Sequence, residues 1–224
     1  MIVHEPIKLV INADDYGYFP CISRGILEAA NAGGLTATGI LANSPNLAAQ
    51  LGWLGTVKNL DLGVHLNLTY GHPITTIMTE KLSLWNGSFP GLYSMCLLVL
   101  ARKISIQDIR NEWRAQIQAC HHKKLVFLNA HEHIHMLPML FPVALGLARE
   151  YGIPFVRLTR AEWLSPLDRV GLVRNGLMQV MQGINQTRVK NKSPIFLGLS
   201  RSGKLDYGYL NTIFSRLKPG EAMS

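Results

Sequence analysis

Cysteine is scarce in this chain: Cys21, Cys96 and Cys120 are its only three in 224 residues, and no two of them form a Cys-x-x-Cys pair. An odd, widely spaced set supports neither a disulfide framework nor a zinc ribbon. Long apolar runs are also missing. The stretch from Met95 to Ala101 falls far short of the roughly 20 residues a spanning helix needs, so no transmembrane segment is expected. The start, Met1-Ile2-Val3-His4-Glu5-Pro6, lacks the charged lead and apolar centre of a secretory signal, which makes cytoplasmic residence the expectation. Cys/His finger spacing and glycine-aromatic RNA-binding signatures are absent, and Arg188, Lys190 and Lys192 are not interleaved with aromatics, so nucleic acid is not an expected partner.

Acidic side chains are few in the second half. Residues 1 to 112 carry 7 basic and 8 acidic groups and residues 113 to 224 carry 15 and 6, so the excess behind the net charge of +8 is C-terminal. Such a surface attracts anions without defining one, or simply keeps the protein solvated. With 48% hydrophobic residues the chain can bury one sizeable core, and a single domain over 1–224 is the default.

Short β-rich runs alternate with helical patterns. Ile7 to Asn12 reads as a buried strand ending at an acidic pair, and Cys21 to Ala32 has helical spacing with Gly33-Gly34 as a left-handed stop. Thr36 to Ala42 reads as strand and 46 to 58 as helix, and Leu62 to Thr69 alternates as a strand should, placing His65 and Asn67 on one face. A helix over Ile104 to Cys120, strand over Leu125 to Asn129, helix over 138 to 150, strands over Ile153 to Leu158 and Ile195 to Leu199, and a helix near 207 to 217 follow. This pattern predicts an α/β fold of parallel βαβ units, with chemistry at the strands' C-terminal ends. Residues 70 to 102, punctuated by His72-Pro73, Asn86-Gly87 and Pro90-Gly91, read as a long inserted loop with one helix. Within it Trp85, Phe89 and Tyr93 either face a sugar ring or acyl chain, or pack the segment onto the core. The run from Met95 to Leu100 reads as core rather than as an exposed patch.

Three separated segments end in metal-binding groups: Asn12-Ala13-Asp14-Asp15-Tyr16-Gly17, Gly63-Val64-His65-Leu66-Asn67-Leu68-Thr69 and Asn129-Ala130-His131-Glu132-His133-Ile134-His135. Carboxylate and imidazoles gathered from separate strand ends are the ingredients of a catalytic metal site with open positions. Adjacent carboxylates in a turn point different ways, so one can hold a metal while the other takes a proton from bound water. Aspartates after a strand also serve as plain turn formers. His131, His133 and His135 share a face if the strand continues, and three unpaired imidazoles would be costly to bury for packing alone. His121-His122, beside Lys123-Lys124, reads as solvated.

These segments resemble the motifs of the YdjC-like carbohydrate deacetylases, which include chitooligosaccharide deacetylases and a branch associated with hopanoid biosynthesis. Asn86-Gly87-Ser88-Phe89-Pro90, Pro154-Phe155-Val156-Arg157 and Leu199-Ser200-Arg201-Ser202-Gly203 resemble further landmarks of that family. The resemblance implies a distorted (β/α) barrel with its site at the strands' C-terminal ends. It implies one divalent ion, Mg²⁺ or Zn²⁺, on Asp15, His65 and His131, with Asp14 as base, and Arg157 and Asn67 near the substrate. That substrate would be an N-acetylated amino sugar, chitooligosaccharide or glycolipid, with a homodimer as one option for assembly. Family members continue into a His-Pro-Gly segment where this chain ends at Gly220-Glu221-Ala222-Met223-Ser224. The comparison implies a truncated C-terminus, slow turnover despite metal binding, and His133 or His135 as substitute proton donors. The rival readings are another barrel-type metallohydrolase such as a phosphoesterase, and a non-catalytic protein that binds surfaces through its basic half.

Overall fold

Alternating short apolar runs and amphipathic helices give parallel strands joined through helices in this computed structural model, which describes residues 7–121, 123–162, 169–189, 193–199, 206–216 and 222–223. His122, Lys190, Lys192 and residues 200–203 lie outside those described. The strands are β1 (Lys8–Leu9), β2 (Asn12–Tyr16), β3 (Ala37–Ile40), β4 (Asp61–Leu66), β5 (Leu125–Ala130), β6 (Phe155–Val156), β7 (Arg160–Ala161), β8 (Ile195–Phe196) and β9 (Ala222–Met223). The helices are α1 (Pro20–Asn31), α2 (Leu47–Trp53), α3 (Thr76–Lys81), α4 (Leu92–Leu100), α5 (Ile106–Cys120), α6 (Phe141–Glu150), α7 (Arg169–Gln186) and α8 (Tyr207–Phe214).

Residues 11–157 form one compact unit. Its sheet runs β2-β3-β4-β5-β6 with every pair parallel, so each strand adds beside its predecessor. A sheet of this kind is covered on both faces, which is why β3, most of β4 and the second half of β5 are buried without alternation. Helix α1 packs on β2, α5 on β4 and α6, and α6 on β5 and β6. The Gly33-Gly34 stop is realised: Gly33 has φ +75°, and the two glycine N–H groups donate to Ala30 and Ala29. Helix α5 opens with a capping box, Ser105 and Asp108 each accepting from the other's backbone N–H.

The other unit comprises residues 1–10 and 158–224, with four parallel strands in the order β1-β9-β8-β7. Tyr209 and Ile213 of α8 are buried there against Ile195, Leu197 and Leu210. Helix α7 is bonded to this unit's strand segments through Asn175, whose amide donates to the Glu162 carbonyl at 2.7 Å. No helix among the described residues is long and apolar enough to cross a membrane.

Three expectations need correction. The buried strand is not Ile7 to Asn12: Ile7, Leu9, Val10 and Ile11 are 39–44% exposed, and the strand entering the five-stranded sheet is Asn12–Tyr16. The acidic pair therefore sits inside β2 rather than past its end. The segment 70–102 carries two α-helices rather than one. Short α3 escapes periodicity because tertiary bonds hold it: the fully buried Glu112 carboxylate accepts the N–H groups of Ile74 and Thr75 and the Thr75 hydroxyl, all at 2.7–2.9 Å. Finally, α4 is core on one side only. Met95 and Val99 are buried while Leu97 and Leu100 are over 60% exposed, and Phe89 packs inside while Tyr93 faces solvent.

Candidate metal centre

A bulge in β2 sets up the centre. Ala13 pairs with Thr38 and Tyr16 with Ile40, so two residues of β2 face a single residue, Gly39, of β3. The two are Asp14 and Asp15, and Asp15 takes a left-handed φ of +67°. The extra residue keeps both carboxylates within 3.5 Å of the His65 ring, whereas a plain strand would send adjacent side chains to opposite faces.

Asp15 meets the histidines. Its Oδ1 lies 3.0 Å from His131 Nδ1 and 3.4 Å from His65 Nε2, and the two imidazoles are edge to face at 5.4 Å. One ligand atom from each of the three residues falls within 4.8 Å of the other two. Ligands held about 2.0–2.2 Å from a tetrahedral ion stand roughly 3–3.5 Å apart, so the separations from Asp15 suit a single ion without rebuilding. Burial pulls the His131 pKa down, but the hydrogen bond and charge of Asp15 outweigh it and the net shift is upward.

His65, 4% exposed, has its ring fixed from behind: Nδ1–H donates to Asn129 Oδ1 at 2.8 Å, leaving the Nε2 lone pair turned toward Asp15. A ligand histidine held through its second nitrogen has its tautomer and angle set in advance. Asn129 was present in the third motif, yet its role was not legible there. Asn129→Ala should weaken zinc binding about 10- to 100-fold in a chelator competition. Unchanged affinity would mean that His65 is oriented by something else.

Asp14 looks the other way. Its Oδ1 accepts from Asn129 at 2.7 Å and Asn12 at 2.9 Å, and its Oδ2 accepts from Arg157 at 3.0 Å. Burial would raise the carboxyl pKa, but the neighbouring His65, the Arg157 guanidinium and the two amide donors prevail, holding it well below the ordinary carboxylate range. Gly39 makes room for this arrangement: a Cβ there would lie 2.5 Å from Asp14 Oδ1 and 3.2 Å from the His65 Cβ. An isolated glycine inside a strand is itself a sign of close approach, and Thr38-Gly39-Ile40 carries that signal.

The strand does not continue through the histidine triplet. After Ala130 the chain tightens into a 3₁₀ turn over His131–Met136, with Glu132 at φ +51° and His133 at φ +56°. Two successive left-handed, non-glycine residues replace the shared strand face and send the rings to different places. His131 goes to Asp15, whereas His135 is fully buried and bonded through Nε2–H to the Arg157 carbonyl at 2.8 Å. Burial pushes His133 down to about 3 and His135 down to about 4, so both rings are neutral. The charges of Arg157 and Asp14 act on both rings. Asn67 is also fully buried. Its amide accepts the N–H groups of Thr69 and Tyr70 and donates to Asn43 and the Tyr70 carbonyl.

The YdjC-like protein family matches this chain over residues 8–224. A carbohydrate deacetylase of Halalkalibacterium halodurans is 36% identical over 152 residues, which are 66% of this chain and 62% of that protein. The carbohydrate deacetylase of Homo sapiens is 31% identical over 171 residues, 73% of this chain and 50% of its own length. The one from Xenopus laevis is 28% identical over 91% of this chain and 70% of its own. The matched part thus spans about three fifths of the bacterial relative. Among solved structures, a candidate cellobiose-phosphate cleavage protein of Enterococcus faecalis V583 shares the fold, with a TM-score of 0.72 at 24% identity over 98% of this chain and 79% of that one. With the family match running from residue 8 to residue 224 and the three motifs meeting in one centre, the chain belongs to the YdjC-like protein family.

Proposed function

We propose that this chain is a divalent-metal-dependent hydrolase that removes the N-acetyl group from an amino sugar, either in an oligosaccharide or in a glycolipid. The observation that carries this reading is the division of labour in the acidic pair: Asp15 lies with His65 and His131, and Asp14 with Arg157, one residue apart in the chain. The carbohydrate deacetylases similar to this chain supply the substrate class.

Asp15, His65 and His131 would hold the ion, and two imidazoles with one carboxylate favour zinc over magnesium, which prefers oxygen ligands. Such an ion acidifies a bound water and polarises a carbonyl. Asp14 supplies the proton traffic. Arg157 and the two amides keep it ionised, and Arg157 is the only partner of Oδ2 among the described residues, which leaves room on that oxygen for a water proton. Water oxygen adds to the acetyl carbon, the C–N bond breaks, and Asp14 returns the proton to the departing amine, giving acetate and a free amino sugar. His133 and His135 are neutral and add no charge that would compete for the carboxylates.

The test is acetate release from N,N′-diacetylchitobiose by protein stripped with chelator and then reloaded with zinc. Activity should vanish on stripping and return on reloading, and His65→Ala should lower bound zinc from about one equivalent to near none. Phosphate release from a generic phosphoester with no acetate release would instead place the centre among phosphoesterases.

A further inference from the structure

The aromatic ring that meets His131 is that of Tyr18, and it is joined to Tyr70 rather than to Trp85, Phe89 or Tyr93. Tyr18 lies 6.2 Å from the His131 ring at 27°, stacks on Tyr70 at 4.4 Å and meets Phe19 edge-on at 4.5 Å. Tyr70 and Phe19 keep 42% and 46% of their surface exposed, high for aromatic side chains packed on neighbours. Polar neighbours hold Tyr70 from behind. Its N–H donates to Asn67 Oδ1, and its carbonyl accepts from Asn67 Nδ2 and Asn43 Nδ2, all at 2.7–3.2 Å. Asn67 is in turn gripped by Gln116, which bonds both its backbone N–H and its carbonyl at 2.8 Å, and Gln116 donates to the buried Glu112. Few exposed side chains have both backbone groups fixed by buried amides.

We propose that Tyr70, backed by Tyr18, is a stacking platform for the sugar ring adjoining the one that carries the acetamide, and that Asn67 is the positioning residue that presents it. The inference rests on the saccharide reading of the metal centre. A flat, exposed ring has an apolar face suited to the C–H face of a pyranose. The rigid mounting matters because a platform already held in place loses little freedom when a ligand arrives. Tyr18 contacts both Tyr70, at 4.4 Å, and the His131 ring, at 6.2 Å, which sets Tyr70 one aromatic ring away from the centre and suits it to the second ring of an oligosaccharide rather than to a single sugar.

The experiment is calorimetric titration of zinc-loaded protein with N,N′-diacetylchitobiose and with N-acetylglucosamine, in an Asp14→Asn parent so that nothing is turned over. In Tyr70→Ala the disaccharide Kd should rise about tenfold, the size of one good aromatic contact, while the monosaccharide Kd moves less than twofold. Tyr70→Phe should restore disaccharide binding, since stacking does not need the hydroxyl. Asn67→Ala should match Tyr70→Ala, and the double variant should be no worse than either. Disaccharide binding unchanged in Tyr70→Ala, or both sugars weakened equally, overturns the platform alone. A parent protein that binds neither sugar overturns the saccharide reading and this inference with it.

Discussion

Asp14→Asn is expected to leave the protein folded and loaded with zinc while lowering acetate release about 10²- to 10⁴-fold, the usual cost of losing a general base. The substitution preserves shape, and its single oxygen can accept either from the Arg157 guanidinium or from the Asn12 and Asn129 amides. It removes a carboxylate that lies beside the triad without belonging to it, with Oδ1 3.5 Å from His65 Nδ1. Metal content and turnover should therefore separate, which Asp15→Ala cannot achieve because it disturbs both. The check is zinc content by elemental analysis alongside acetate release on the same preparation. A variant that loses zinc along with activity would show that Asp14 is a ligand. One that keeps both would leave the proton transfer to another group.

Gly39→Ala is expected to cost about 10²-fold or more in turnover with a single added methyl, because small displacements of reacting groups carry penalties of that order. The new Cβ would meet Asp14 Oδ1 at 2.5 Å, and the carboxylate must give way, breaking its bonds to Asn12 and Asn129. Gly63→Ala is the control. There the Cβ would meet the Phe127 ring at 2.4 Å, an apolar clash expected to cost roughly 1–3 kcal/mol of stability with no selective loss of catalysis. Melting curves and rates for both variants separate the cases. Wild-type turnover in Gly39→Ala would mean that the position of Asp14 is not critical.

The convergence of the three candidate ligands was legible because each lies in a local motif at the end of an apolar run, and strand ends in parallel α/β folds converge. Asp15, His65 and His131 needed only that rule. The bulge was not legible, because it is a register relation between β2 and β3 that neither strand carries alone. The turn at Glu132 and His133 was hidden for a related reason: alternating histidines mimic strand periodicity, and no glycine marks the two positive φ angles. Asn67 shared the expected polar neighbourhood, but only its partners reveal that its side-chain amide serves the Thr69 and Tyr70 backbone and Asn43 Oδ1, while Gln116 holds its own backbone. Helix α3 went unseen because a six-residue helix depends on a carboxylate presented by α5.

That last dependence has a consequence for recombination between relatives. The segment around α3 is tied to α5 by Glu112, which accepts three bonds from Ile74 and Thr75, and by Lys81 reaching Asp108 at the helix start. Residues 70–102 are thus not a cassette. A chimaera that imports this stretch without the matching Glu112 and Asp108 would strand two backbone N–H groups and leave Lys81 without its carboxylate, whereas a crossover placed after Cys120 moves both partners together.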